Sequence, residues 1–212
     1  MKFENYRYIY PPRPKNAIHS DDLTFWDNGS LMAQPKLNGS NTTIYTNGEQ
    51  VIIMNRHGAR LTNFQIPLDE IKSLYRGVRG QWLVINGEYL NKSKQDERGI
   101  TFNHKLIIFD ILVYKSDYLV GQTFQQRVHL LDELYGKNDS EKSYLYSISD
   151  NVYRVKSFDT GFKSLFDQLT PIDMIEGLVM KRKNAKLEIG NTENNNTKSQ
   201  LKARKPTKNY KF

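Results

Sequence analysis

Thr42-Thr43-Ile44-Tyr45, then Asn47-Gly48, then Val51-Ile52-Ile53-Met54 is the stretch that decides the fold class. Two short runs rich in β-branched and aromatic residues, separated by an Asn-Gly turn signal, predict a β-hairpin. Working outward, Gln81-Trp82-Leu83-Val84-Ile85 and the run from Lys105 to Val113 are too short and too β-branched for helices, and they predict buried strands. Gly177-Leu178-Val179-Met180-Lys181 predicts another. Helical patterns are fewer. One covers Leu68 to Tyr75, and one opens at Thr123-Phe124-Gln125-Gln126-Arg127 and runs to Tyr135, with Val128, Leu131, Leu134 and Tyr135 on one face and Gly136 as its stop. A third covers Phe162 to Leu169, closed by Pro171. Strands first, helices inserted between them and strands at the end predict an α+β fold of mainly antiparallel β-sheets with flanking helices. The polar stretch Asn191 to Gln200 predicts a mobile loop, and no repeat or domain linker interrupts the chain.

The 212 residues are enough for a sizeable core and predict a single domain over 1–212. Hydrophobic residues at 38%, aromatics at 12% and only 7 prolines belong to a folded chain and exclude a disordered one. No apolar run reaches the roughly 18 residues of a membrane span, and the start, Met1-Lys2-Phe3-Glu4-Asn5-Tyr6, lacks the features of a secretory signal. An intracellular protein that is not secreted and does not bind membranes is expected. The absence of cysteine removes disulfides, thiolate catalysis and cysteine zinc sites together, so a nucleophile must be Lys, Ser, Thr, Tyr, His or a carboxylate.

The net charge of +8 is concentrated at one end. Residues 181–212 hold ten Lys and Arg against Glu188 and Glu193, which accounts for the whole excess and leaves residues 1–180 neutral. Such a run is either a solvated basic tail or a phosphate-binding strand.

The segment Gln34-Pro35-Lys36-Leu37-Asn38-Gly39-Ser40-Asn41 sets one lysine beside a glycine turn. With an unperturbed pKa near 10.4, roughly one lysine in a few thousand is neutral at pH 7, so a nucleophilic lysine needs desolvation or neighbouring cations. The basic end of the chain can supply them. Taken singly, each residue also has a plain reading: Lys36 in a surface turn, Phe109 in the core, Glu88 as a surface partner for a lysine, Asp110 at a strand end. Arg127 reads as a surface salt-bridge residue of its helix, and His57 and His104, without metal-ligand spacing, as structural or exposed.

Five further elements follow Lys36-Leu37-Asn38-Gly39 in order: Asn55-Arg56-His57-Gly58, Asn86-Gly87-Glu88, Phe109-Asp110, Glu176 to Lys181, and Leu201-Lys202-Ala203-Arg204-Lys205. In this order they resemble the motifs of the covalent nucleotidyltransferase superfamily, which comprises ATP-dependent DNA ligases, RNA ligases and mRNA capping enzymes. The resemblance implies the ATP-grasp-like adenylation domain of ligases. It makes Lys36 the catalytic lysine that takes AMP from ATP. Gln34, Pro35, Arg56, Glu88, Phe109, Glu176, Lys181, Lys202 and Arg204 would contact nucleotide, with Glu88 on the ribose hydroxyls and Phe109 stacked on the purine. Asn41, Arg56 and Lys205 would contact nucleic acid, and Glu176 would hold Mg²⁺.

Three residues depart from the pattern. Asn38 and Asn86 stand where many DNA ligases have Asp, which keeps hydrogen bonding and removes charge, and Arg204 replaces a Lys. The chain stops seven residues after Lys205, so no OB-fold domain is expected. Gly39-Ser40-Asn41 is similar to the Gly-Thr-Asn of RNA-repair ligases, whereas Arg56-His57-Gly58 and Phe124 to Leu131 are more like DNA ligases. The expected function is an ATP-dependent polynucleotide ligase, leaning slightly to RNA or nicked-duplex sealing and read as a monomer, and a viral source would suit its compactness. The alternatives are a DNA ligase, a capping-type guanylyltransferase using GTP, and an inactive nucleic-acid-binding module.

Overall fold

The structure, a computed structural model, describes residues 2–4, 6–190, 192 and 194–206. Lys208, Lys211 and Glu193, counted above in the basic stretch, lie outside the described residues. The first strands are β1 (Arg13–Ile18), β2 (Leu31–Leu37), β3 (Ser40–Thr46), β4 (Val51–Asn55) and β5 (Leu83–Leu90). They are followed by β6 (Lys105–Tyr114), β7 (Asp117–Tyr118), β8 (Leu145–Ser147), β9 (Val152–Val155), β10 (Ile175–Arg182) and β11 (Asn196–Arg204). The helices are α1 (Leu23–Trp26), α2 (Leu68–Lys72), α3 (Phe124–Tyr135) and α4 (Phe162–Leu169).

The hairpin forms where its sequence requires it. β3 and β4 pair antiparallel from Thr42 opposite Asn55 to Thr46 opposite Val51. Between them Gly48 takes φ +87°, a left-handed conformation that glycine adopts without steric penalty. Asn47 Oδ1 accepts from the amides of Glu49 and Gln50 at 3.1 and 2.8 Å and closes the loop.

Two sheets result. One has the order β1-β11-β10-β2, and the other the order β4-β3-β5-β6-β9-β8 with β7 paired to β6. The β1–β11 and β6–β9 pairs are parallel and the remaining pairs antiparallel, so the fold is α+β with mainly antiparallel sheet. β6 shows why its sequence is apolar at nearly every position. Leu106 and Ile108 join one core with Ile44, Ile85 and Leu131 of α3, while Ile107 joins a second with Leu37, Leu178, Leu201 and Phe166 of α4. β6 is therefore buried on both faces, which demands a nearly continuous hydrophobic run. Each such fully buried side chain contributes about 1.5–3 kcal/mol.

Three expectations are corrected. Asn196 to Gln200, read as part of a mobile loop, belongs to β11, which pairs with β1 on one side and β10 on the other. Asn196 and Lys198 are exposed, so the polar composition marks an outward face, and pairing on both edges overrides weak strand propensity. α3 opens on a capping box between Thr123 and Gln126 and stops at Gly136, as its sequence implies, but its buried stripe is Phe124, Arg127, Leu131 and Tyr135. Arg127 is therefore a buried residue. Its guanidinium grips Asp110 with two bonds, Nε to Oδ1 at 2.8 Å and Nη2 to Oδ2 at 3.0 Å. Asp110, in turn, sits within β6 rather than at a strand end. Among the described residues no helix is long and apolar enough to cross a membrane.

Candidate active site

Two β-bulges shape the space between the sheets. Along β2 and β10, Leu37 faces Ile175 and Lys36 faces Gly177, so Glu176 is an inserted residue. Along β5 and β6, Asn86 faces Asp110 and Gly87 faces Ile108, so Phe109 is inserted in the same way. A bulge bends its strand and re-aims the extra side chain. Both inserted side chains line one cleft of about 630 Å³, a size suited to a small-molecule site. Glycine next to each bulge allows the close approach: a Cβ on Gly87 would lie 2.7 Å from the carbonyl oxygen of Ile107, and Gly177, at φ +150°, lies against the Ala203 carbonyl.

Of the residues singled out from the sequence, Gln34, Pro35, Lys36, Asn41, Arg56, Glu88, Phe109, Glu176, Lys181, Lys202 and Arg204 all line this cleft. Lys205 does not. Its ammonium donates instead to the carbonyls of Thr170 and Ile172 at 3.0 and 2.9 Å. The cleft adds Arg13 and Gln200, which the sequence reading passed over, and Asp110, which it read only as a strand-end residue beside Phe109. Arg13 sits on an edge strand whose sequence carries no strand signal, so nothing local pointed to it. Arg127 did leave a trace, since its spacing from Phe124, Leu131 and Tyr135 is that of a buried helix face.

Lys36 donates to Glu176 Oε2, and Arg204 Nε lies 3.6 Å from the same oxygen. Glu88 is half-buried and accepts from the Gly39 amide at 3.2 Å. Burial pushes its carboxyl up to about 7, Lys36 opposes that shift, and the neighbouring Glu176 adds to it. Asn86, which the sequence reading marked as a missing charge, directs its NH₂ at three acceptors, Asn41 Oδ1, Thr42 O and Thr43 Oγ1, at 3.3, 3.0 and 3.2 Å. A carboxylate there would face only oxygens.

At the other end of the cleft Lys181 packs its ammonium 5.0 Å from the ring centre of Phe109 and 4.7 Å from that of Phe124. Its nearest carboxylate oxygen is Asp110 Oδ2 at 3.9 Å. Burial pulls the Lys181 ammonium down to about 8, with Asp110 opposing and Arg127 reinforcing. Burial works against ionisation of Asp110 too, but Arg127 and Lys181 outweigh it and hold that carboxyl below the usual range. Beside Phe109, buried Gln34 donates its NH₂ to Ser157 Oγ at 3.0 Å and to the Phe109 carbonyl at 3.4 Å. A carbonyl can only accept, so the amide orientation is fixed and Gln34 Oε1 is left without a partner among the described residues. On the rim, exposed Arg56 donates from Nε to His57 Nε2 at 3.0 Å.

Taken together, the cleft joins a lysine held by a carboxylate, a half-exposed aromatic ring with an amide acceptor beside it, and cations from three strands of one sheet. That set suits a purine nucleotide and its phosphates.

Solved structures share this fold. A mycobacterial DNA ligase D complexed with ATP and MES superposes with a TM-score of 0.67 at 15% identity, covering 96% of this chain and 62% of that one. The ligase domain from M. tuberculosis LigD gives 0.65 at 14%, covering 96% and 61%. A structure from a study of Lig E DNA ligases gives 0.57 at 16%, covering 92% and 68%. The chain thus spans about three fifths of the length of the first two, and at such identities the likeness is one of fold. No curated protein sequence matches. The family model described as ATP dependent DNA ligase domain matches residues 15–200, and the chain therefore belongs to that family.

Proposed function

We propose that this domain forms a lysyl-AMP intermediate on Lys36 and uses it to join polynucleotide ends. The Nζ of Lys36 attacks the α-phosphate of ATP, forming an N–P bond as the α–β P–O bond breaks and pyrophosphate leaves. An oxygen of a 5′-phosphate end then attacks the same phosphorus, breaking the N–P bond and releasing the lysine. A 3′-hydroxyl finally attacks the activated 5′-phosphate and expels AMP. The observation that carries this reading is the direct Lys36–Glu176 contact inside a cleft lined by Lys181, Lys202 and Arg204. Lys36 needs to lose a proton before it attacks, which the Glu176 carboxylate in direct contact with it would take, and the cleft's remaining cations offset the charge of the phosphates it approaches.

The base end favours adenine. Gln34 Oε1, an acceptor without a partner among the described residues, suits the adenine N6 amino group and opposes the guanine O6. This supports ATP over the GTP of a capping-type enzyme. A divalent ion fits with the help of the substrate. No group of three or more acidic or histidine ligands clusters among the described residues, but Mg²⁺ is commonly held by one or two carboxylates together with substrate phosphates. Glu176 would hold it, and the ion would supply neutralisation of the phosphates and the departing pyrophosphate. For the nucleic acid, membership of the DNA ligase domain family puts nicked duplex DNA first, and Gly39-Ser40-Asn41 keeps RNA strands as the second reading.

The test is mass spectrometry after incubation with Mg²⁺ and either ATP or GTP, followed by sealing assays on nicked duplexes with RNA and DNA strands in every combination. ATP is expected to add the mass of one AMP, and Lys36→Ala to abolish the adduct. An adduct on Lys36→Ala, or labelling by GTP alone, would overturn the reading.

A further inference from the structure

The side chain of Asn38 lies between two charges, Glu176 Oε1 at 3.2 Å and Lys94 Nζ at 3.0 Å. A carboxylate only accepts and an ammonium only donates, so the amide has one satisfactory orientation: its NH₂ on Glu176 and its oxygen on Lys94. Backbone bonds anchor the middle of this bridge and its Lys94 end. The Asn38 amide donates to the Met174 carbonyl at 2.9 Å, and the Lys94 carbonyl accepts from Phe102 at 2.6 Å. Glu176 needs such support, because as the inserted residue of a bulge it has no residue opposite it on β2. Its second oxygen takes Lys36, with Arg204 3.6 Å away.

We propose that Asn38, steadied by Lys94, is a positioning residue that holds the Glu176 carboxylate against Lys36, and that an amide is required at 38 because it donates to one neighbour while accepting from the other. An aspartate at 38 would still pair with Lys94. It would, however, lose the bond to Glu176 and set a second carboxylate against the first. On this view the residue that looks like a lost charge is a gained donor. Lys94, in the connection between β5 and β6, becomes part of the machinery although it lies outside every sequence motif. The inference rests on the reading of Lys36 as the nucleophile.

A double-mutant cycle on the full chain tests it, with single-turnover formation of the AMP adduct as the readout. Losing a hydrogen bond to a charged group corresponds to about a 10- to 100-fold change, so Asn38→Ala and Asn38→Asp are each expected to slow adduct formation by that amount at saturating ATP with the KM for ATP little changed. Lys94→Met is expected to slow it about 5-fold alone and less than about 2-fold in the Asn38→Ala background, since partners in one network are non-additive. Lys94→Arg restores most of the rate. Should either Asn38 variant fail to fold, Lys94→Met against Lys94→Arg carries the same test. Asn38→Asp at or above the unmutated rate, Lys94→Met without effect, or full additivity in the cycle would each overturn the proposal. An adduct on Lys36→Ala would instead bring down the reading beneath it.

Discussion

Two lysine–carboxylate pairs stand in the same cleft, and they are built in opposite ways. Lys36 reaches Glu176 directly, with side chains 19% and 29% exposed. Lys181 comes only within 3.9 Å of Asp110, with side chains 6% and 5% exposed, because Arg127 already occupies both oxygens of that carboxylate. In the open pair Glu176 stands directly on the Lys36 ammonium, where it is placed to take the proton that Lys36 loses before it acts as a nucleophile. In the closed pair the anion is satisfied by a third residue, which leaves the Lys181 charge under-compensated and disposed to accept a phosphate. What separates the two roles is how directly each lysine reaches its carboxylate and how much water reaches the pair.

Arg127→Met should produce the largest effect, because it turns the closed pair into an open one. Removing one partner of a buried ion pair typically costs about 3–5 kcal/mol. Lys181 and the Ile111 amide, which donates to Asp110 Oδ1 at 2.9 Å, remain to hold the carboxylate and put the expectation near the low end of that range. Urea unfolding measures it, and Asp110→Asn added to Arg127→Met should recover part of the loss. A change below about 1 kcal/mol would mean that the grip on Asp110 contributes little to the fold.

The next effect is one of pH. The Lys181 ammonium, drawn down to about 8 in the fold, lies below its ordinary value, so between about pH 8 and the normal lysine range the unfolded chain binds more protons. Stability from this group therefore rises with pH across that window. In the proposed binding mode the triphosphate of ATP favours the charged ammonium and reverses the bias. Binding at pH 9 should take up a fraction of a proton, measured as a dependence of the calorimetric heat on the ionisation enthalpy of the buffer. Lys181→Arg, which stays charged, should remove that dependence, and the same dependence in this variant would assign the proton to another group.

How much of this was legible in the sequence follows from which interactions are local. The β3–β4 hairpin, the α3 capping box and the apolar run of β6 are set by neighbours a few residues apart, and each appears where its pattern predicts. Lys36 and ten of the residues named for nucleotide or nucleic acid line the cleft because motif order carries information that single residues lack. The bulges were not legible. Nothing in Phe109 or Glu176 announces an inserted residue; the register shift appears only when β6 meets β5 and β10 meets β2. Arg127 was misread because a long cation on a helix is usually solvent-facing, and its partner Asp110 is 17 residues away on a different element. The Lys94–Asn38–Glu176 bridge joins three segments far apart in the chain and left no local mark at all.

Lys205 gives the smallest expected effect and a third kind of lysine. Its ammonium faces neutral carbonyls, those of Thr170 and Ile172 just beyond the last turn of α4, where a cation satisfies acceptors that the helix leaves open. Reaching out to a nucleic-acid phosphate would forfeit both bonds, so the local geometry favours a structural cap over the phosphate contact that its place in the basic motif suggests. Lys205→Gln should therefore leave AMP-adduct formation within about 2-fold and lower stability by about 1 kcal/mol. A phosphate contact has a different signature: the salt dependence of nicked-duplex binding would lose close to one charge from its slope while stability stayed put. Measuring both quantities on one variant separates the readings, and a reduced salt slope at unchanged stability would return Lys205 to the group of phosphate-seeking cations that Lys181 represents.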